Sequence, residues 1–461
     1  MNFFKFLFVF LISVSSFAGP MQKISSPAEF DKYLNEAHFS GVFLVARDTE
    51  TLFKKAYGVR DFVTNTPILI TDKFQIGSVS KQFTAAAILK LQEEKKLSID
   101  DEIVKYLPEY PAFKGIKIRD ILNHTGGVAN YTDQQVFWHD PNPNRSYSLV
   151  DIAKFIATLP FDFAPTTKWK YSNSGYILAG RIVEVVSGKS WDDYIKVNFL
   201  IPLEMNDTGY VEDFKTVSAV VGYKNDGGTG LVPVNMNLSW ALSAGGLYST
   251  VDDLEKWTAM YDSSSLLSDE SKTQMQTPFL NNYALGLEVV KMKDETRITH
   301  GGRTPGFVTD LSYLKKSKLK VIKLDNNDGG VVDPTTVALA LFDRGEASAL
   351  KVNPYPMDAS KLQDYVGFFK GDGMNVNIFV QDNVLYLQPD DGQPPYQLFA
   401  NDKDSFRVMG FAGEEFIRDE NNNVIGMKHY QGGGVFDFKK ETNPVSAVTF
   451  QPLKKLGLVL R

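Results

Sequence analysis

The chain has 461 residues with 43% apolar side chains, a net charge of -6 and no cysteine. The absence of cysteine excludes disulfides, thiolate metal sites, a cysteine nucleophile and a lipid anchor on cysteine. The mild charge, without any Lys/Arg-rich block, argues against a nucleic-acid partner, and the apolar content predicts two or three globular domains.

The N-terminus has the layout of a signal peptide over residues 1–18. Lys5 precedes an apolar run, Phe6–Val14, and small residues follow at Ser16 and Ala18. We therefore expect an exported protein, periplasmic or secreted, with cleavage after Ala18. The alternative is an uncleaved anchor, for which the apolar run is short. No later segment approaches the length of a membrane span, so we expect no stable membrane insertion after cleavage.

The next segments predict a helix and a sheet. Pro27–His38 has a helical pattern, and Gly41–Arg47 and Thr51–Tyr57 read as neighbouring strands. Ser78–Lys96 reads as a helix whose middle is apolar on every side, which indicates a buried helix.

A helical insertion is then predicted over about residues 97–235, after which strand patterns return. These strands are Ala284–Val290, Arg297–His300, Val308–Leu314 and Leu319–Leu324. From 357 to 461, short alternating runs separated by Asp-Asn, Asp-Gly and Gly-Gly-Gly turns predict an all-β module, a small barrel or sandwich. Lys351–Pro356 is the expected linker.

Two common hydrolase signatures are missing from the sequence. The histidines do not form a metalloprotease pair, and no G-x-S-x-G elbow occurs. We expect neither a metal nor an organic cofactor.

Ser78-Val79-Ser80-Lys81 is the first candidate for catalysis. Ser78 begins the buried helix, where free backbone N–H groups favour a developing negative charge, and Lys81 projects from the same helix face. A partly desolvated lysine can deprotonate a serine. The motif alone is weak, because S-x-x-K also begins at three other serines and the pair could be a helix cap and a solvated lysine. These other instances begin at Ser312, Ser317 and Ser348.

Two further motifs carry groups that suit acyl transfer. In Tyr171-Ser172-Asn173 the phenol can transfer protons and the carboxamide can bind a substrate amide. In His300-Gly301-Gly302, followed by Arg303, the glycines would let a substrate lie against a strand edge whose N–H groups hold an oxyanion. A turn tyrosine and a hairpin glycine pair are the alternative interpretations.

The order of these motifs resembles the class C branch of the serine β-lactamase and penicillin-binding protein superfamily. The resemblance covers about residues 27–345 and extends to the connecting segments. Those segments are Leu97–Asp101, Tyr106–Pro108, Arg119–Gly127, Ser243–Thr250 and His300–Phe307.

The resemblance implies a role for each motif residue. Ser78 would be the nucleophile, Lys81 and Tyr171 the paired bases, and Asn173 a contact to the substrate amide. The backbone N–H groups of Ser78 and Arg303 would form the oxyanion hole, beside a substrate-binding edge at His300 and Gly302. His124 would belong to a structural loop near the rim, and Gly245-Gly246 to a wall beneath the catalytic strand.

The resemblance also implies the fold. It is an α/β (α+β) β-lactamase-like domain over residues 19–350, with an antiparallel sheet flanked by helices and an all-helical insertion. A small all-β barrel, resembling lipocalin-like domains, follows over 357–461.

The third motif departs from the family pattern, since a β-lactamase of this branch usually has Lys-Thr-Gly where this chain has His-Gly-Gly. Histidine there resembles the D-aminopeptidase branch. We therefore expect a serine hydrolase acting through an acyl-enzyme on amides of D-amino-acid-containing peptides or related small substrates, with cell-wall-derived peptides among the candidates. The alternatives are a carboxylesterase of the same fold and a penicillin- or peptidoglycan-binding protein without turnover.

Overall fold

The structure is a computed structural model, and it describes most of the chain from residue 21 onward. The described residues are 21–134, 146–210, 220–225, 231–234, 238–328, 333–350, 357–371, 375–381, 383–389, 395–400, 403–408, 412–431 and 434–441. The predicted signal peptide and the predicted linker Lys351–Pro356 lie outside them. Met21–Val352 forms one compact unit, and Asn353–Arg461 belongs to a second.

The secondary structure alternates between sheet and helical segments. The helices are α1 (Pro27–Glu36), α2 (Ser80–Glu93), α3 (Ile118–Leu122), α4 (Leu149–Ile156), α5 (Asn173–Ser187), α6 (Trp191–Ile195), α7 (Leu242–Gly245), α8 (Val251–Trp257), α9 (Asp269–Gln276) and α10 (Pro334–Arg344). The strands of the first unit are β1 (Met21–Ile24), β2 (Gly41–Arg47), β3 (Glu50–Tyr57), β4 (Val59–Asp61), β5 (Thr66–Pro67), β6 (Phe74–Gln75), β7 (Gly209–Tyr210), β8 (Tyr223–Asn225), β9 (Leu231–Pro233), β10 (Leu247–Ser249), β11 (Glu288–Lys291), β12 (Thr296–Thr304), β13 (Phe307–Leu314), β14 (Leu319–Asp325) and β15 (Ala347–Leu350). The strands of the second unit are β16 (Gly367–Gly371), β17 (Asn375–Gln381), β18 (Val384–Pro389), β19 (Tyr396–Ala400), β20 (Ser405–Val408), β21 (Ala412–Arg418), β22 (Val424–Gln431) and β23 (Gly434–Lys440).

A six-stranded antiparallel sheet forms the centre of the first unit, in the order β11-β12-β13-β14-β2-β3. Both faces of this sheet are covered. Successive side chains of a strand point to opposite sides, so each strand contributes to the packing on both faces. From β2, Phe43 and Val45 pack with α1 and α10, whereas Val42 and Leu44 join the larger core that contains α2. The predicted antiparallel sheet flanked by helices is confirmed.

Strand β11 begins later than the sequence predicts. The expected strand Ala284–Val290 is a turn in its first half, where Ala284 N donates to Leu287 O at 2.7 Å and Gly286 has φ +73°. Pairing with β12 starts only at Glu288.

Among the described residues of the predicted insertion, about residues 97–235, most of the regular secondary structure is helical, but the insertion is not all-helical as expected. It contains the short strands β7, β8 and β9, and β7 pairs with β10 outside the insertion. These strands are two or three residues long and carry no extended alternation, which is why the pattern did not reveal them. No helix among the described residues is long and apolar enough to cross a membrane.

The second unit is a closed antiparallel barrel of eight strands, β16 to β23. Its interior is largely apolar and includes Phe369, Ile378, Phe406, Phe416 and Met427. It also contains one buried polar pair, in which His429 Nδ1 lies 2.6 Å from Glu414 Oε1. This confirms the predicted small all-β barrel.

Candidate active site

Ser78 lies in a 3-10 turn, Gly77–Val79, directly before α2. Gly77 has φ +50°, and a Cβ there would lie 2.7 Å from the backbone nitrogen of Arg303. Glycine is therefore required both by the left-handed backbone and by the close approach of β12. The turn holds Ser78 against the strand that carries the third motif.

Lys81 is fully buried at the start of α2, with 0% of its surface exposed. Its Nζ lies 3.0 Å from Ser78 Oγ, 2.7 Å from Asn173 Oδ1 and 2.6 Å from the carbonyl oxygen of Ala244. Burial holds the pKa of Lys81 well below its usual value, since the charged form loses hydration. A neutral amine at this place can accept the proton of Ser78.

Tyr171 approaches Ser78 from the segment before α5. Its phenol is close enough to Ser78 for the serine to influence its pKa, and its ring centre lies 4.9 Å from Lys81 Nζ. Burial raises the pKa of Tyr171, with the nearby Ser78 opposing the rise, so the phenol stays protonated at neutral pH. Lys81 therefore has the environment of a base, and Tyr171 that of a proton donor.

Asn173 begins α5 and connects Lys81 to the rim of the cleft. Its Oδ1 accepts from Lys81, its Nδ2 donates to Thr132 Oγ1 at 3.0 Å, and its backbone N–H donates to Asn130 Oδ1 at 3.0 Å. These partners fix the orientation of the carboxamide, because only its oxygen can accept a hydrogen bond from Lys81.

Gly302 and Arg303 lie on β12, where the strand passes the Ser78 turn. β11 pairs with β12 only over Thr296–Thr299, so the edge that follows is not covered by β11. A Cβ on Gly302 would lie 1.9 Å from the carbonyl oxygen of Ile76. The absence of a side chain at Gly302 therefore allows β12 to approach the Ser78 turn. The sequence instead led us to expect that this glycine makes room for a substrate.

His300 does not lie where the sequence predicts a substrate contact. It is 3% exposed, its Nε2 lies 2.8 Å from Tyr283 Oη, and its Nδ1 lies 2.6 Å from the carbonyl oxygen of Gly301. Burial, together with the nearby Lys81, lowers the pKa of His300 to about 3. The buried, neutral imidazole does not fit the expected contact of this side chain with substrate, and a role for His300 in substrate binding stays a prediction.

The remaining two expectations concern loops. His124 is buried and its ring centre lies 4.3 Å from that of Tyr171, so its ring packs against this side chain. Gly245 lies near Gly77, at the end of α7 whose Ala244 accepts from Lys81, so this segment walls the nucleophile itself.

A cleft opens beside Ser78 and encloses about 410 Å³, part of it open to solvent. Its lining includes the aromatic Tyr131 and Trp240, and Arg303 is its one charged side chain among the described residues. Sequence reasoning missed these aromatic residues and the carbonyl of Ala244, because neither carries a motif. No group of three or more His, Asp or Glu residues in the described part of the chain could hold a metal ion.

The Beta-lactamase family profile matches residues 28–344, which contain all of these groups. The chain belongs to the Beta-lactamase family. Penicillin-binding protein 4* of Bacillus subtilis (strain 168) is 27% identical over 428 residues, which cover 84% of this chain and 92% of that protein. The similarity to this relative therefore extends along most of both chains.

Solved structures support the same fold. The octameric penicillin-binding protein homologue from Pyrococcus abyssi superposes with a TM-score of 0.62 at 24% identity, covering 89% of this chain and 98% of that one. The D-amino acid amidase from Ochrobactrum anthropi SV3, complexed with L-phenylalanine amide, gives a TM-score of 0.56 at 21% identity over 65% of this chain and 92% of that one.

Proposed function

We propose that this protein is an exported serine hydrolase that forms an acyl-enzyme on Ser78 and cleaves amide bonds of D-amino-acid-containing peptides or related small substrates. The observation that carries the proposal is the contact between Ser78 and a buried amine. Ser78 Oγ lies 3.0 Å from Lys81 Nζ, which in turn lies 4.9 Å from the ring centre of Tyr171, and a cleft opens beside Ser78.

The proton path follows from the two environments. Neutral Lys81 takes the proton of Ser78 while Oγ forms a bond to the substrate carbonyl carbon. When the carbon–nitrogen bond breaks, the phenol of Tyr171 gives its proton to the leaving amine, and the neighbouring Lys81 ammonium, whose Nζ lies 4.9 Å from the centre of the Tyr171 ring, returns a proton to the phenolate. Water then attacks the acyl-enzyme by the reverse sequence and releases the acid.

The developing oxyanion would be held by the backbone N–H groups of Ser78 and Arg303. The proximity of Gly77 to Arg303 N supports this assignment, because it brings the two backbone segments into contact. Preorganised donors of this kind are typically worth about 2.7–4 kcal/mol each in the transition state.

The amide preference rests on the cleft and on one structural neighbour. Tyr131 and Trp240 lie in the wall of the cleft, although only 0% and 5% of their surface is exposed, and Arg303 offers a positive charge for an anionic group. The neighbour from Ochrobactrum anthropi is a D-amino acid amidase of the same fold. The proposal includes a small or peptide substrate, with cell-wall-derived peptides among the candidates. It also includes export directed by residues 1–18.

A binding protein without turnover is the second candidate, favoured by the similarity to penicillin-binding protein 4*. A carboxylesterase would use the same groups on a substrate with an oxygen leaving group. Both candidates share the acylation of Ser78 with the leading one, so the comparison of turnover between amides and esters separates them.

The test is covalent labelling followed by turnover. Intact-mass spectrometry of the protein treated with a fluorophosphonate and with a fluorescent penicillin should show one adduct, absent in Ser78→Ala. Ser317→Ala is the matched control, because Ser317 begins another S-x-x-K far along the chain, on the turn before β14. Labelling of Ser78→Ala equal to that of the wild type would refute the proposal.

Turnover of D-amino-acid amides, matched L-amides and p-nitrophenyl esters then identifies the substrate class. Repeated turnover of the D-amides above the esters supports the amidase proposal. A faster ester reaction identifies a carboxylesterase, and a single adduct without release identifies a binding protein.

A further inference from the structure

His124 has an uncommon backbone conformation in a buried place. It follows α3, has φ +65° and is 2% exposed. Left-handed backbone is unusual for a residue other than glycine, and such conformations are retained where the surrounding structure determines them. The next residue fixes the turn, since Thr125 N donates to Asp120 O at 2.9 Å.

His124 accepts two hydrogen bonds from the backbone on either side of Tyr171. The carbonyl oxygen of His124 accepts from Lys170 N at 3.1 Å, and its Nδ1 accepts from Ser172 N at 3.2 Å. Lys170 and Ser172 are the neighbours of Tyr171 on either side. His124 therefore holds the backbone immediately before and immediately after the phenol.

The imidazole ring also limits where the phenol can go. Its centre lies 4.3 Å from that of Tyr171 and 4.4 Å from that of Tyr283. Tyr283 is itself held by His300, with Oη and Nε2 2.8 Å apart. The ring of Tyr171 cannot move toward His124 without displacing this packed group.

The hydrogen bond defines the protonation of His124. A backbone N–H can only donate, so Nδ1 must accept and the proton of the neutral ring is on Nε2. Burial keeps the pKa of His124 well below its usual value, and the nearby Lys81 and His300 lower it further. The ring stays neutral and remains an acceptor across the physiological pH range.

We propose that His124 is a positioning residue that fixes the hydroxyl of Tyr171 on Ser78, by means of its acceptor Nδ1. This inference rests on the proposed function, because it concerns the proton donor of that reaction. Nothing in it requires His124 to touch the substrate. A misplacement of about 1 Å in a catalytic group can cost a factor of about 100 in rate.

The experiment compares variants that keep or remove the acceptor. His124→Asn retains an oxygen near the position of Nδ1 and tolerates positive φ, whereas His124→Phe retains an aromatic ring and loses the acceptor. The acylation rate with the fluorophosphonate, and kcat and KM on the preferred substrate, are measured on the full chain. His38 is the matched control, because it is an exposed histidine with φ +50°, so His38→Phe reports the cost of phenylalanine in that backbone conformation.

We expect His124→Phe to lower kcat and the acylation rate by about 10- to 100-fold, with KM within about threefold of wild type. His124→Asn should recover most of that loss, and His38→Phe should leave both rates unchanged. If His124→Phe does not fold, His124→Gln replaces it, because its amide lies one bond farther out, near the position of Nε2, and should be slow.

Two results would overturn the inference. One is a folded His124→Phe or His124→Gln with wild-type acylation, and the other is a His124→Asn as slow as the variant without the acceptor. Both are distinct from failure of the proposed function, in which the wild type itself would not be labelled or Ser78→Ala would be labelled equally.

Discussion

Gly302 offers a sharp test of the oxyanion hole, because the structure leaves no space for a side chain there. An added Cβ would lie 1.9 Å from Ile76 O and 3.3 Å from Ser78 N. Contacts of real Cβ atoms essentially never fall below 3.0 Å. In Gly302→Ala, β12 and the Ser78 turn must therefore separate by about 1 Å, since the nearest atom is a backbone carbonyl that cannot rotate away.

The separation should weaken catalysis more than folding. Moving Arg303 N–H away from the oxyanion removes a donor worth about 2.7–4 kcal/mol, a factor of about 100 to 1,000 in kcat. Strain of this kind typically lowers the free energy of unfolding by about 1–3 kcal/mol. We therefore expect a folded enzyme with a lower kcat and a smaller change in KM.

Gly301→Ala is the matched control one residue earlier on the same strand. Its added Cβ would have Thr309 O as its nearest neighbour, at 3.8 Å, which is ordinary contact. The assays are kcat and KM on the preferred substrate and thermal unfolding by circular dichroism. A kcat for Gly302→Ala within about threefold of wild type, or an equal loss in Gly301→Ala, would refute the reasoning about a donor worth several kcal/mol.

Three further predictions concern charge and packing. Activity should rise with pH as Lys81 loses its proton, and this should occur below the usual pKa of a lysine. His300→Asn should leave the shape of the kcat/KM profile from pH 5 to 8 unchanged, because His300, with a pKa of about 3, is already neutral in this range. A fall in activity through pH 6.5 that disappears in His300→Asn would contradict this. Asn173→Asp places a carboxylate 2.7 Å from Lys81 Nζ. Because an opposite charge favours the ammonium form of Lys81, the acid limb of the kcat/KM profile should move to higher pH by about 1–3 units. An acid limb that does not move would count against Lys81 as the base. Phe416→Ala should lower the free energy of unfolding of the barrel by about 3–5 kcal/mol in calorimetry, whereas Phe436→Ala, at a side chain 44% exposed, should cost much less; equal effects would show that Phe416 is not part of the packed interior.

The sequence by itself determined much of the fold. Short runs rich in apolar residues predicted β2, β3, β13 and β14 to within a few residues, because a strand that packs on both faces carries apolar side chains on both sides. The barrel was recognisable from its alternating runs, because only one face of each of its strands lies in the interior. Gly286, which delays β11, and the short strands of the insertion were not, since they depend on local turns and on pairing with distant segments.

Part of the candidate site was also within reach of the sequence. Ser78 and Lys81 are three residues apart at the beginning of a buried helix, so their 3.0 Å contact follows from helix geometry. Tyr171 and Asn173 were found only through the order of motifs along the chain. Their roles in catalysis stay predictions until Ser78 is labelled.

Only the tertiary structure decided the state of the remaining groups. His300 follows a strand pattern that suits a substrate edge, yet it is turned into the core, where Tyr283 holds it and burial keeps it neutral. The carbonyl of Ala244 binds Lys81, although a backbone oxygen leaves no trace in the amino-acid pattern. Burial and long-range hydrogen bonds arise where segments far apart in the chain meet, and these two properties determine which side chains are charged and which face the cleft.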